Sequence, residues 1–512
     1  MNTDRYKTPA GDGEVVVIPE PEALPDLARA NAELRASYDF RILDVPAATL
    51  AAQAREEFLG PARRYTESLG VAPCDNGAGM IVATGHQPEF AHPGIWLKNH
   101  LAARAADRLG GTGLNFIVDN DAVDLSRIRT PALEEGELRV RDVPFIECPP
   151  DTAAEEVAAP EGAADALAEA ARLAGPALGE TLAGEFAAAA EPDHALASFV
   201  SRPRRRIEET FGVHNLELPV SSLAGTGAFR AYCAHIIANA GRFAEVCNRT
   251  LDRHRAEHGI SNPVEPSPNL RIEPGRVELP FWVWRPGEAR RPLAVVIDGE
   301  ARVLYCGSDQ AARFSGDEPA AGALGRASLR FRIRPRALAM TMFFRLFCCD
   351  LFIHGMGGAR YEPVNDGVIR EFFGVEPPRW AAASATLRVK PATPPPQADT
   401  DELRQRVHRM KTTPERFVGE FIPADAEASD LARRRAELLD LSGLSKRERR
   451  RAFDESKRIA ARLQERLAPH ILAAEKKLGR AEERRGLREA IEDRGFPFFL
   501  HSRAALEKLY GA

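Results

Sequence analysis

The run TGHQPEFAHPGIWLKNH, from Thr84 to His100, sets His86, Gln87, His92 and Lys98 around a proline-punctuated turn. Imidazoles and an ammonium at such a turn can donate to phosphate oxygens and offset charge that develops in a transition state. His92 precedes Pro93-Gly94, where proline suits the first helical position and the residue before it serves as cap. Gly94 lets a ligand approach the backbone, and the free N–H groups of a helix start favour an anion. Thr84 and Gly85 belong to the same strand-to-turn junction. Capping alone also accounts for His92, and a solvated surface position for Lys98.

Two more stretches carry candidate chemistry. In VDNDAVD, Asp119, Asn120 and Asp121 follow an apolar run. Carboxylates there could orient an amine, accept its proton or hold Mg²⁺. In IHGMGGARYE, His354, Gly357 and Gly358 lie where a strand gives way to a helix, a backbone able to wrap a ligand. Tight turns need glycine in any case. His86, His92 and His100 span a loop and a helix without any cysteine pair, so no protein-held metal centre is expected. The first stretch is not a G-x-G-x-x-G fingerprint, and G-x-x-x-x-G-K-[ST] does not occur. A nucleotide such as ATP or ADP, with Mg²⁺ as its candidate companion, fits a His/Gly loop better than NAD does.

These residues need a scaffold. GMIVATGH reads as a buried strand, the Leu97, Leu101, Ala105 face as a helix ending at Gly110-Gly111, and LNFIVD as a second strand. Strand, helix, strand implies a parallel sheet, and ligands bind at the carboxyl ends of such strands. Residues 1–79 read as a mixed N-terminal segment and 80–150 as the first half of the core. Residues 151–330 read as inserted modules, first Ala/Glu-rich and helical, then β-rich around LPFWVWRP and ARVLYCGSD. Residues 331–399, from LRFRIRP to the linker KPATPPPQAD, complete the sheet. Residues 400–512 form a charged helical tail in which Ala460, Leu463, Leu467, Ile471, Ala474 and Leu478 repeat at coiled-coil spacing. That seam suits either an antiparallel helical hairpin or a homodimer. The fold class is therefore α/β, a Rossmann-like parallel core split by insertions, with a C-terminal helical coiled-coil domain.

With 512 residues, 44% hydrophobic and 28% charged, the chain has an ordinary globular composition. A net charge of -5 gives no electrostatic reason to expect nucleic acid or an anionic membrane as partner. No apolar run reaches bilayer length, the N-terminus is polar, and the seven cysteines are scattered, which together point to the cytoplasm.

The three stretches together resemble the bacillithiol-biosynthesis cysteine-adding enzymes, a family of cysteine ligases. Members carry a TGQQPGLFGGPLYTIYK-like run, an EDHD strand end and a GGPGEIAYW segment; the counterparts here are TGHQPEFAHPGIWLKN, VDNDAVD and MGGARYEPV. The resemblance covers about residues 80–130 and 330–390. It implies a Rossmann-like core with connecting-peptide insertions, a coil-mediated dimer and an adenine-nucleotide site. By the same resemblance Thr84, Gly85, Gln87, Asp121, Gly357 and Gly358 hold family positions. His86 replaces a glutamine, and Ala122 stands where the family has a histidine. The implied reaction joins a carboxylic acid to an amine, through an acyl-adenylate or acyl-phosphate. Two alternatives remain open from the residues: a nucleotidylyltransferase, and a non-catalytic assembly protein working through its coil.

Overall fold

The computed structural model describes residues 6–76, 79–159, 161–193, 195–265, 267–315, 320–392, 400–439 and 445–511. The chain divides into two compact units: residues 1–133, 141–390 and 494–512 form the first, and residues 134–140 and 391–493 the second.

Within the first unit the elements that matter are, in chain order, β1 (Glu14–Ile18), β2 (Ile81–His86), α1 (Pro93–Leu109), β3 (Thr112–Ile117) and β4 (Leu216–Pro219). Next come β5 (Arg276–Trp284), β6 (Arg291–Asp298), β7 (Ala301–Cys306), β8 (Asp309–Phe314) and β9 (Arg332–Pro335). The last are β10 (Leu351–His354), α2 (Met356–Val368) and β11 (Ala381–Thr386). One six-stranded sheet has the order β1-β11-β10-β2-β3-β4. Every neighbouring pair is parallel except β1 with β11, where Val16 lies opposite Ser384. β3 and β11 are buried along their whole length, as expected of a sheet covered on both faces. From β2 the chain steps outward through β3 to β4, whereas β10 and β11 lie on the opposite side of β2. The strand order therefore reverses between β2 and β10.

The second sheet is antiparallel, with β8-β7-β6-β5-β9 in order and a short strand at Ile272–Glu273 pairing with β5. Three placements differ from the sequence expectation. RIRP, expected in the parallel core, is β9 of this antiparallel sheet, with Arg334 opposite Trp282. Its alternating charged and apolar residues suit a half-covered strand. LELP, expected inside an inserted module, is instead the β4 edge of the main sheet, where Leu216 and Leu218 are fully buried. The last residues of the expected tail, from Arg494 on, belong to the first unit. Trp96 of α1 stacks on Phe498 at 4.0 Å, and the Tyr510 hydroxyl donates to Pro93 O at 2.9 Å.

The second unit contains α3 (Thr400–Thr412), α4 (Ala426–Leu439) and α5 (Lys446–Ile491), the last of 46 residues and opened by a Ser445–Glu448 capping box. Leu467 and Ile471 pack against Met410 and Phe417, and Ile459 and Leu463 against Val418 and Ala428. The central residues of the repeating seam are thus covered by helices of the same chain. Most of the proline-rich linker, residues 393–399, lies outside the described residues. Among the described residues no helix is long and apolar enough to cross a membrane. All seven cysteines are free thiols.

Candidate functional site

The carboxyl ends of β2 and β10 open into a cavity of about 610 Å³, a volume typical of small-molecule sites. It lies where the strand order reverses, the position at which open α/β sheets bind ligands. Gly85, His86, Gln87, His92, Gly94, Lys98, Asn120, Asp121, His354, Gly357 and Gly358 all border it. Thr84 and Asp119 do not. Thr84 is fully buried and its hydroxyl donates to Ile353 O at 2.9 Å, tying β2 to β10. Asp119 turns away to accept from Ser221 N at 2.9 Å and from the Ser221 hydroxyl. Burial and the nearby Glu155 push its carboxyl up to about 7. The expected pairing of Asp119 with Asp121 is therefore absent. Asp121 is ion-paired to Arg290 at 2.5 Å and receives Gln87 Nε2 at 3.1 Å.

α1 starts as its sequence predicts. His92 is the cap, its Nδ1 accepting from Gly94 N at 3.0 Å, Pro93 is the first helical residue, and Gly110 ends the helix in the left-handed region. The role expected for Gly94 changes. A β-carbon there would lie 2.2 Å from Ala385 O and 2.8 Å from Ser384 Oγ. Glycine is needed so that the helix can approach β11, not to admit a ligand. Gly357 is the opposite case: a β-carbon there meets nothing within 4 Å. It occupies the first turn of α2, whose cap, Gly355, has no side chain to satisfy the amides.

The placement of Lys98 also differs from the sequence expectation. The lysine is not solvated: only 3% of it is exposed, and its Nζ donates to Gly85 O at 2.6 Å. Among the described residues no carboxylate forms an ion pair with it, and burial alone lowers its pKa to about 7. His86 bonds through Nδ1 to Gln87 O at 3.0 Å; burial, then Lys98, depress it to about 3. His354 is held well below its usual range by burial and then by Arg345 and Lys98. Its Nε2 stands 3.7 Å from Glu362 Oε2. Around pH 7 the two imidazoles are therefore neutral and Lys98 is poised between its charged and neutral forms.

Several lining residues escaped the sequence reading. Arg336 lies 4.3 Å over the Trp282 ring and is paired to Glu278 at 2.7 Å. Tyr361, one helical turn from Gly357, has its phenol raised to about 12 by burial. Arg494 donates to Ser384 Oγ and Ala385 O, both at 2.9 Å. The signal for Arg494 was the Gly495 and Pro497 interruption after a long charged helix, followed by the aromatic run FPFFL, which no coil seam requires. Among the described residues no group of three or more His, Cys, Asp or Glu side chains could hold a metal ion.

Neither a family model nor a curated protein matches this chain.

Proposed function

We propose that the chain is a nucleotide-dependent ligase that joins a carboxylic acid to an amine. One observation carries this reading: the first turns of two helices, with their backbone N–H groups, and a buried lysine anchored on Gly85 O meet in one cavity at the strand-order reversal of a parallel sheet. Such a site suits an anionic ligand with an organic body. The amides at Gly357 and Gly358 would donate to phosphate oxygens, with the His92 Nε2–H as a further donor, whereas His86, whose Nδ1–H goes to Gln87 O, would present Nε2 as an acceptor. Met340, Phe344 and Phe352 give the cavity its apolar part. Gln87 and Asp121 would orient the amine. Asp119 and Asp121 face different partners, so a Mg²⁺ arriving with the nucleotide would be held by phosphate oxygens and water. The Rossmann-like description and the kinship with the cysteine-adding ligases belong to this same proposal, supported by the strand–helix–strand unit from β2 to β3.

Calorimetric titration of ATP and ADP into the purified protein, with and without Mg²⁺, tests it. Micromolar binding that Gly357→Val abolishes without lowering the melting temperature supports the site, because Gly357 borders the cavity and a β-carbon there meets nothing within 4 Å. If no nucleotide binds under any condition, the ligase reading falls and an assembly role takes its place.

A further inference from the structure

Resting on the ligase reading, the placement of Lys98 allows the chemistry to be taken one step further. An amine that is to attack a carboxyl carbon must first lose a proton, since an ammonium has no lone pair. The cavity offers few groups able to take it. Asp121 is bound to Arg290, Asp119 is turned to Ser221 outside the lining, His92 spends Nδ1 on Gly94 N, and His86 and His354 are held by burial too far below their usual range to keep a proton. Tyr361 is a buried phenol. Lys98 differs from all of these. Its side chain runs from α1 back to the end of β2, borders the cavity, and has Gly85 O as its one hydrogen-bond partner among the described residues. A carbonyl accepts from a neutral amine as well as, more strongly, from an ammonium, so that contact holds Nζ in place in either protonation state. A lysine placed to clamp phosphate gains from remaining charged. This one is buried near two uncharged imidazoles, His86 and His354, with no carboxylate paired to it among the described residues, which favours the neutral form.

We propose that Lys98 is the catalytic base that takes the proton from the amine substrate. The substrate ammonium gives one proton to the neutral Lys98 amine and becomes a free amine. Its lone pair forms the C–N bond as the C–O bond between the activated carboxyl carbon and its phosphate leaving group breaks. The surplus proton on the new amide nitrogen passes to the departing phosphate. Amide, phosphate and a Lys98 ammonium result, and the ammonium returns its proton to water. The approach of Lys98 to neutrality at about pH 7 agrees with this role.

The test compares two small acceptors with ATP, Mg²⁺ and the standard amino acids as acids. Hydroxylamine is already neutral at pH 7, whereas methylamine of similar size is an ammonium. Lys98→Arg keeps a positive charge but cannot act as base, and Lys98→Met keeps the stem; circular-dichroism melts confirm that both fold. The expected result is methylamide formation reduced roughly 100-fold or more in both variants, with hydroxamate formation reduced far less. A Lys98→Arg protein that still forms methylamide, or an equal fall for both acceptors, overturns the base assignment. ATP binding without either product in the wild-type protein overturns it too, together with the ligase reading; absence of ATP binding marks the failure as that of the nucleotide site.

Discussion

Gly94 and Ala385 approach so closely that a β-carbon on the first would lie 2.2 Å from the carbonyl oxygen of the second. The start of α1 is thereby pressed onto β11, and the His92 cap is fixed at the cavity rim. Gly94→Ala must push helix and strand apart. A destabilisation of about 1–3 kcal/mol is expected, as for other overpacked interiors. Urea unfolding reads it directly, and an unchanged midpoint would contradict the close contact.

His92 itself offers a finer test, because its ring nitrogen caps Gly94 N. His92→Ala should cost about 1 kcal/mol of stability, and His92→Asn should recover most of it by supplying a capping oxygen in place of the ring nitrogen. If ATP binding falls in the alanine variant and returns with asparagine, the histidine acts on the ligand through the helix start. If it falls in both, the imidazole makes its own contribution.

The polar cluster behind the cavity predicts a larger effect. Arg345, 1% exposed, bonds Glu362 and Asp366, each at 2.6 Å. Glu362 also accepts from Thr341 at 3.1 Å and stands beside His354. Arg345→Met removes the cation and leaves two acids buried without it. A loss of about 3–5 kcal/mol is expected, measurable by chemical denaturation. Replacing Arg345 and Glu362 together by apolar residues should cost less than the sum of the two single changes.

Acid should weaken the fold earlier than carboxylate titration alone would require. His86, His100, His354 and His501 are all depressed by burial, to about 3 for His86 and about 4 for His100 and His501. Each is neutral in the native state at a pH where the unfolded chain, titrating near 6.5, already binds the proton. The unfolded state therefore gains four protons that the native state lacks as pH falls below 6.5. Glu89 and Asp119, both raised to about 7, oppose this by holding two protons that the unfolded chain has released. His235 and His254, also lowered by burial, add smaller shares to the first set, and Glu217, raised by burial, adds to the second, so an excess of about two protons favours unfolding. Stability should fall by about 2–3 kcal/mol per pH unit between pH 6 and pH 4.5. Melting temperatures that stay flat across that window would show that these histidines are accessible to protons in the native state.

The extent to which the sequence determined this protein can be judged residue by residue. Local pattern was enough for α1: Pro93 at the first position, His92 before it and Gly110 after it are signals confined to their own turns. The β2-to-β3 unit was legible for the same reason, its apolar runs being bounded by turn residues. The gathering of Gly85, His86, Lys98, Asn120 and His354 at one edge followed from the rule that places ligands at the carboxyl ends of parallel strands. Partners distant in sequence were not legible. LELP and RIRP are four-residue strands whose own pattern suits either sheet, and only pairing with β3 or with β5 decides between them. Gly94 and Gly357 look alike in sequence, yet one faces the backbone of β11 and the other faces open cavity. Lys98 resembled a surface lysine, but it lies on the face of its helix turned to the sheet, where its Nζ reaches Gly85 O at the end of β2 and the cavity brings in Phe352 and His354 from β10, some 250 positions away. Helix caps and strand runs depend on neighbours a few residues away, so the sequence determines them. Burial, charge compensation and the lining of a cavity depend on which distant segments meet, and only the tertiary structure decides that.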